Sequence, residues 1–142
     1  MYKITKAEKL ADKIYLMDVE AARVAKSCQP GEFLIVKTDE YGERIPLTIC
    51  DYDREAGTVT IVFQIVGAST EKMAELKAGD SFADVTGPLG CPSEFVHEDL
   101  EVLKRRKYLF VAGGVGTAPV YPQVKWMHEH GIEADVIVGA KN

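Results

Sequence analysis

The sequence predicts a β-rich N-terminal region followed by the first βαβ unit of an α/β region, on three observations. Strand-like runs separated by glycine and proline turns fill residues 1–100. The stretch Tyr108-Leu-Phe-Val-Ala-Gly-Gly-Val-Gly-Thr-Ala-Pro119 then joins an apolar run, a glycine cluster and a helix-starting proline without a gap. After it, an amphipathic stretch leads to a second apolar run, Val136-Ile-Val138.

Taken in order, Tyr2 to Leu10 and Lys13 to Val19 favour an antiparallel strand pair joined around Ala11-Asp12. In the second strand Ile14, Leu16 and Asp18 share one face, and Tyr15, Met17 and Val19 the other. Ala21 to Cys28 suits a short helix closed by Gln29-Pro30-Gly31. Glu32 to Thr38 is the next strand, and Asp39-Glu-Tyr-Gly42 a polar turn. Arg44 to Asp51 follows. Its Pro46 has no N–H for a sheet neighbour, which places this run on an edge or at an irregularity. Thr58 to Val66 alternates most clearly, with Val59, Ile61, Phe63 and Ile65 on one face. Gly67 to Thr70 opens a helix through about Leu76, with Ser69 or Thr70 as its N-cap. Ser81 to Thr86 is a short strand, Gly87-Pro-Leu-Gly90 a sharp break, and the segment carrying Glu94, Glu98, Asp99 and Glu101 a polar connector.

Leu109 to Ala112 reads as a parallel strand buried on both faces. Gly113, Gly114 and Gly116 allow a tight turn and close approach of a ligand, and Pro119 suits the first helical turn. Together they aim unpaired N–H groups and the positive end of a helix dipole at one point, a seat for phosphate. The spacing departs from G-x-G-x-x-G, with proline at the third glycine, and an ordinary strand-to-helix turn fits the same residues. Ala118 to His130 is the helix, with Val120, Val124 and Met127 inward, and Glu133 to Gly139 the parallel partner strand.

Composition sets limits on function. The 142 residues are 46% hydrophobic and 27% charged with net charge −5, and the basic run Lys104-Arg-Arg-Lys107 is short, which argues against nucleic acid as a partner. No apolar run approaches the ~20 residues of a membrane span, and Met1 to Lys6 lacks a signal-peptide core, so a cytoplasmic protein with no membrane partner is expected. Cys28, Cys50 and Cys91 are scattered, with no C-x-x-C pair, so no metal site is expected within this chain.

Two other stretches admit a ligand. Around Pro46, a shelf is one reading, with Arg44 for phosphate and Thr48 for a heteroaromatic ring that Tyr41 or Tyr52 stacks on; an edge strand with a surface arginine is the other. Gly67 to Thr70 is a second glycine-to-helix junction, either an anion seat or a capped helix and nothing more.

Arg44-x-Pro-Leu-Thr-Ile49, Gly67-x-x-Thr70 with Gly87-Pro-Leu-Gly90, and Gly113-Gly-Val-Gly-Thr-Ala-Pro119, in that order, resemble the ferredoxin–NADP reductase superfamily. Within it the chain is most similar to flavin subunits such as the ferredoxin:NADP oxidoreductase alpha (sulfide dehydrogenase) subunit and the dihydroorotate dehydrogenase electron-transfer subunit. The resemblance implies a six-stranded antiparallel FAD-binding barrel over residues 1–100 and an incomplete NAD(P)-binding domain over residues 101–142. It implies that Arg44 holds the flavin pyrophosphate, that Pro46, Leu47 and Thr48 line the isoalloxazine with Thr48 near N5, and that Gly67 and Thr70 meet the phosphates. Gly113, Gly114, Gly116 and Thr117 would face NAD(P)H. Such proteins continue for further βα units and usually carry a [2Fe–2S] centre near the C-terminus, so the chain reads as the N-terminal part of a longer protein.

The implied activity is flavin-dependent electron transfer between NAD(P)H and an iron–sulfur centre or partner protein, as part of an oxidoreductase subunit, with a second oxidoreductase subunit or a ferredoxin as partner. The chain alone would be inactive. His97, His128 and His130 read as surface residues; Cys50 shares a strand face with Thr48, as a small filler or a group approaching the flavin. Two alternatives remain, a flavin-binding module without activity of its own and a subunit-interaction barrel. An uncovered pair of C-terminal strands would expose an apolar edge and favour self-association.

Overall fold

Thr58–Gln64 lies at the centre of a curled antiparallel sheet, with Val59, Ile61 and Phe63 turned into the core and Thr58, Thr60 and Val62 only half-buried. The structure, a computed structural model, describes residues 1–141. Strands β1 (Tyr2–Ala11), β2 (Ile14–Glu20), β3 (Phe33–Lys37), β4 (Arg44–Asp53), β5 (Thr58–Gln64), β6 (Ser81–Phe82) and β7 (Asp84–Leu89) follow the order β6-β1-β2-β5-β4-β3-β7. Every pairing is antiparallel.

The two outer strands of this sheet, β6 and β7, are separated by Ala83 alone. The run expected as one strand therefore bends and serves both edges: Ser81 and Phe82 pair with Lys3 and Tyr2, while Asp84 and Val85 pair with Lys37 and Val36. That bend brings the sheet's edges together as the antiparallel barrel expected, and it accounts for seven strands in place of six. Nor does the chain break at Gly87. β7 continues to Leu89 through a cis Gly87–Pro88 bond, and a Cβ on Gly87 would lie 3.0 Å from that of Leu34.

Ile4, Met17, Val19, Leu34, Ile49 and Phe82 are among the barrel core, joined by Val24 and Ala25 from α1 (Ala22–Ser27) and Met73 from α2 (Ala68–Ala74). Arg54 ties α1 to the barrel by donating to the carbonyls of Ala25 (2.8 Å), Lys26 (2.8 Å) and Cys28 (3.0 Å). These are the carbonyls that a helix end leaves without partners.

β4 is interior in the strand order, yet its proline half is an edge, as Pro46 leads one to expect. Arg44 to Thr48 pair only with β3, and Ile49 to Asp53 only with β5. The strand changes partner midway, so its proline half has a sheet neighbour on one side alone. A register shift between Ile49 and Asp51 marks the change, and both Ile49 and Cys50 are buried there. A bulge of this kind breaks the alternation that put Thr48 and Cys50 on one face.

The polar connector is more ordered than its composition suggests, with a 3₁₀ turn at Glu94–His97 and helix α3 (Leu100–Lys104). Asp99 caps α3 by accepting from the Glu101 N–H at 2.8 Å. Then come β8 (Leu109–Gly113), α4 (Thr117–Glu129) and β9 (Asp135–Gly139), with β8 and β9 parallel and in register from Leu109↔Asp135 to Gly113↔Gly139. A second core of Leu103, Trp126, Met127 and Ile132 holds this unit, with Phe95 and Phe110 against it. The buried residues of α4 are Ala118, Pro122, Trp126 and Met127, while Val120 and Val124 are only half-buried. The inward face is thus rotated from the expected one, because Phe95 of the connector and His130 cover the Trp126 indole with ring centroids at 5.0 and 3.9 Å. Nor is the parallel pair buried on both faces: Leu109 and Val111 of β8 and Ile137 of β9, turned away from α4, are 59%, 66% and 56% exposed.

Candidate functional site

The proline half of β4 presents Pro46, Leu47 and Thr48, which with Gly31 and Phe33 line a shallow groove of about 320 Å³. Arg44, at the start of the strand, is half-exposed and donates to Asp84 at 2.7 Å. That guanidinium holds the Asp84 carboxyl below the usual carboxylate range. The preceding loop is tied to α2, since the Ser69 hydroxyl donates to Glu43 and Lys72 pairs with Asp39. Those ties put Arg44 on the same side of the barrel as the Gly67 turn.

Gly67 is extended, with no heavy atom within 4 Å of where a Cβ would sit. Thr70 is nearly buried. Its hydroxyl accepts from the N–H groups of Val66 (2.8 Å) and Gly67 (3.0 Å) and donates to the Gly67 carbonyl (2.9 Å). This side chain is wholly engaged in shaping the turn, so any anion there would meet backbone N–H groups rather than the hydroxyl.

Across from the barrel, Gly114 takes φ 57 and begins a 3₁₀ turn to Gly116, and Thr117 starts α4 with its hydroxyl donating to the Gly114 carbonyl at 2.9 Å. No heavy atom lies within 4 Å of a Cβ built on Gly113, Gly114 or Gly116, so the turn is open to close approach. Between it and the barrel is a mostly apolar cleft of about 540 Å³, with Leu16, Cys50 and Val62 on one wall and Gly114, Thr117 and Tyr121 on the other.

Gly114 and Thr117 therefore border a cavity, while Gly113 and Gly116 shape the turn behind it. Thr48 lies outside this cleft, in the β4 groove, and the bulge puts Cys50 inside it instead. Burial pushes the Cys50 thiol up to about 11, which keeps it protonated and unreactive at neutral pH. Tyr41 is 92% exposed on its turn, Tyr52 is covered by the Arg54 guanidinium at 4.5 Å, and neither is among the residues that line the groove. His97 and His128 are exposed as expected, and His130 is half-buried against Trp126.

Sequence reasoning missed Asp51 and Lys125, whose 2.6 Å ion pair joins β4 to α4 below the cleft. Nothing in a linear pattern links residues 74 positions apart. No helix among the described residues is long and apolar enough to cross a membrane.

No protein-family model matches the chain. It is 64% identical over 142 residues to an uncharacterized protein in the adh 3′ region of Clostridium beijerinckii, covering all of this chain and 48% of that protein. It is 36% identical over 138 residues to a dihydroorotate dehydrogenase B (NAD(+)) electron transfer subunit homolog of Thermotoga maritima, covering 97% of this chain and 46% of the relative. Among solved structures, that of the NADH-dependent reduced ferredoxin-NADP oxidoreductase superposes with TM-score 0.89 at 35% identity, over all of this chain and 49% of that one. Phthalate dioxygenase reductase matches with TM-score 0.79 at 19% identity, over 99% of this chain and 43% of its own, a likeness of fold. The chain spans about half the length of the curated relatives it matches.

Proposed function

The chain has the ferredoxin–NADP reductase fold and is homologous to electron-transfer subunits of NAD-dependent oxidoreductases, and from that premise we propose that its barrel, residues 1–100, holds FAD and that residues 101–142 begin a unit that docks NAD(P)H. The observation that carries this reading is the half-strand Arg44 to Thr48, with one sheet neighbour only and the Gly67 turn tied beside it. These residues fit the group. A cation and unpaired helix N–H groups suit a pyrophosphate, and Pro46, Leu47 and Thr48 offer a flat, mostly apolar surface to a ring. In this reading Arg44 binds phosphate, Gly67 leaves the backbone bare at the other phosphate, and Thr70 holds that turn in shape. Thr48 orients the ring through its hydroxyl and backbone, and Gly113, Gly114, Gly116 and Thr117 admit the dinucleotide. The chemistry supplied by bound flavin is hydride acceptance from reduced nicotinamide and release of electrons singly. In the whole protein the acceptor would be an iron–sulfur centre, in a further segment or on a second subunit or ferredoxin. A cytoplasmic location accords with this role.

A second reading, a non-catalytic module that binds flavin or another subunit, draws support from the exposed Leu109, Val111 and Ile137. Titration calorimetry tests flavin binding, which separates the first reading from a module that binds only another subunit. Binding of FAD in preference to FMN is expected, because the site offers places for two phosphates; equal or tighter FMN binding, or rejection of both, removes the first reading. Arg44→Ala should weaken FAD by about 1.5 to 3 kcal/mol through loss of a charge-assisted bond. Asp84→Asn should tighten it, since Asp84 competes for the same guanidinium.

The flavin-loaded chain should reduce an artificial dye only slowly with NADH or NADPH. Among the described residues one glycine turn and one parallel strand pair are available to grip a dinucleotide. Stopped-flow reduction at the pace of a complete reductase would contradict this.

A further inference from the structure

The cleft between barrel and α4 is closed below by a small charged joint. Lys125 donates to Asp51 Oδ1 at 2.6 Å, and the same oxygen accepts from the Tyr52 N–H at 2.8 Å. The Lys125 ammonium lies 6.0 Å from the centre of the Tyr52 ring, and the Arg54 guanidinium 4.5 Å from it, the latter already bonded to three carbonyls at the end of α1. α1, β4 and α4 are thus linked through one aromatic ring and two cations. The lysine is one turn below Tyr121 and two below Thr117 and Ala118, the α4 residues that wall the cleft. Both partners of the ion pair are largely sheltered, with side chains 35% and 29% exposed, so solvent weakens it less than an ordinary surface pair.

We propose that Lys125 is a positioning residue: its bond to Asp51 sets how α4 and the Gly114 turn stand over the barrel, and thereby holds the cleft closed around Cys50. That this spacing serves a dinucleotide rests on the function proposed above; the joint itself does not.

Thiol labelling of the unliganded full chain, read cysteine by cysteine by mass spectrometry, tests it with three built-in probes. Cys91 is exposed, Cys50 is buried in the cleft wall, and Cys28 is buried in the barrel core. In Lys125→Met, Cys50 should be labelled about tenfold faster, the change expected when a sheltered charge-assisted bond that limits a local opening is lost. Cys28 should keep its slow rate, and exchanging the pair, Asp51→Lys with Lys125→Asp, should restore much of the protection of Cys50. An unchanged Cys50 rate would overturn the proposal. So would parallel acceleration of Cys28, which would make the bond a general stabiliser rather than a local joint. Because no flavin or nucleotide is present, failure of the flavin assignment leaves this result untouched.

Discussion

Ile61→Ala should destabilise the barrel by about 2 to 5 kcal/mol, a large part of the roughly 5 to 15 kcal/mol that holds a domain folded. Ile61 is fully buried, and its backbone sits opposite Met17 on one side and Ile49 on the other. Truncation leaves a hole bordered by strands already paired on both sides, which have little room to move inward. The thermal midpoint should fall by roughly 10 °C. Val62→Ala, one residue along and facing the cleft, should cost about 1 kcal/mol or less, because Val62 is half-buried and solvent can fill the space. Denaturant melts of the two variants provide the check, and similar losses would mean that the alternation along β5 does not set the core.

Self-association should be the second large effect. Leu109, Val111 and Ile137 stand side by side on one exposed face of the parallel pair, and each apolar side chain removed from water is worth about 1.5 to 3 kcal/mol when burial is complete. Two copies meeting through this face would cover it, aided by the outer edges of β8 and β9, which pair with no other strand among the described residues. Light scattering over a concentration series should show mass rising, and Val111→Lys should return the chain to monomer. A monomer for the unmodified chain at every concentration would dispose of the idea.

What could be read from sequence follows from which forces act locally. The strands of residues 2–66 were legible because each has one wet and one dry face or a turn of glycine, proline or aspartate at its end. The helix after the glycine cluster was legible for its start, since Pro119 and the glycines act within a few residues. Its inward face was not, because burial of Trp126 depends on Phe95, which arrives from a connector whose acidic composition suggested no structure. The bend at Ala83 was hidden for a similar reason. One short run pairs with two strands at opposite ends of the sheet, and no local pattern distinguishes that from a single pairing. In the candidate site, Arg44 and the glycine turns were visible as residue types. The bulge that separates Thr48 from Cys50 was not, since it depends on which neighbour each half of β4 finds.

The place of Trp126 has a spectroscopic consequence. It is the chain's one tryptophan, and it lies in the second core, with none in the barrel. Indole fluorescence therefore watches α4 and its surroundings, while the far-ultraviolet signal of a seven-stranded sheet watches the barrel. His130 lies flat against the indole at 3.9 Å, with Nδ1 2.7 Å from the Trp126 carbonyl oxygen. Melting curves recorded with both signals on one sample would count the cooperative units directly: coincident transitions mean one, separated transitions two.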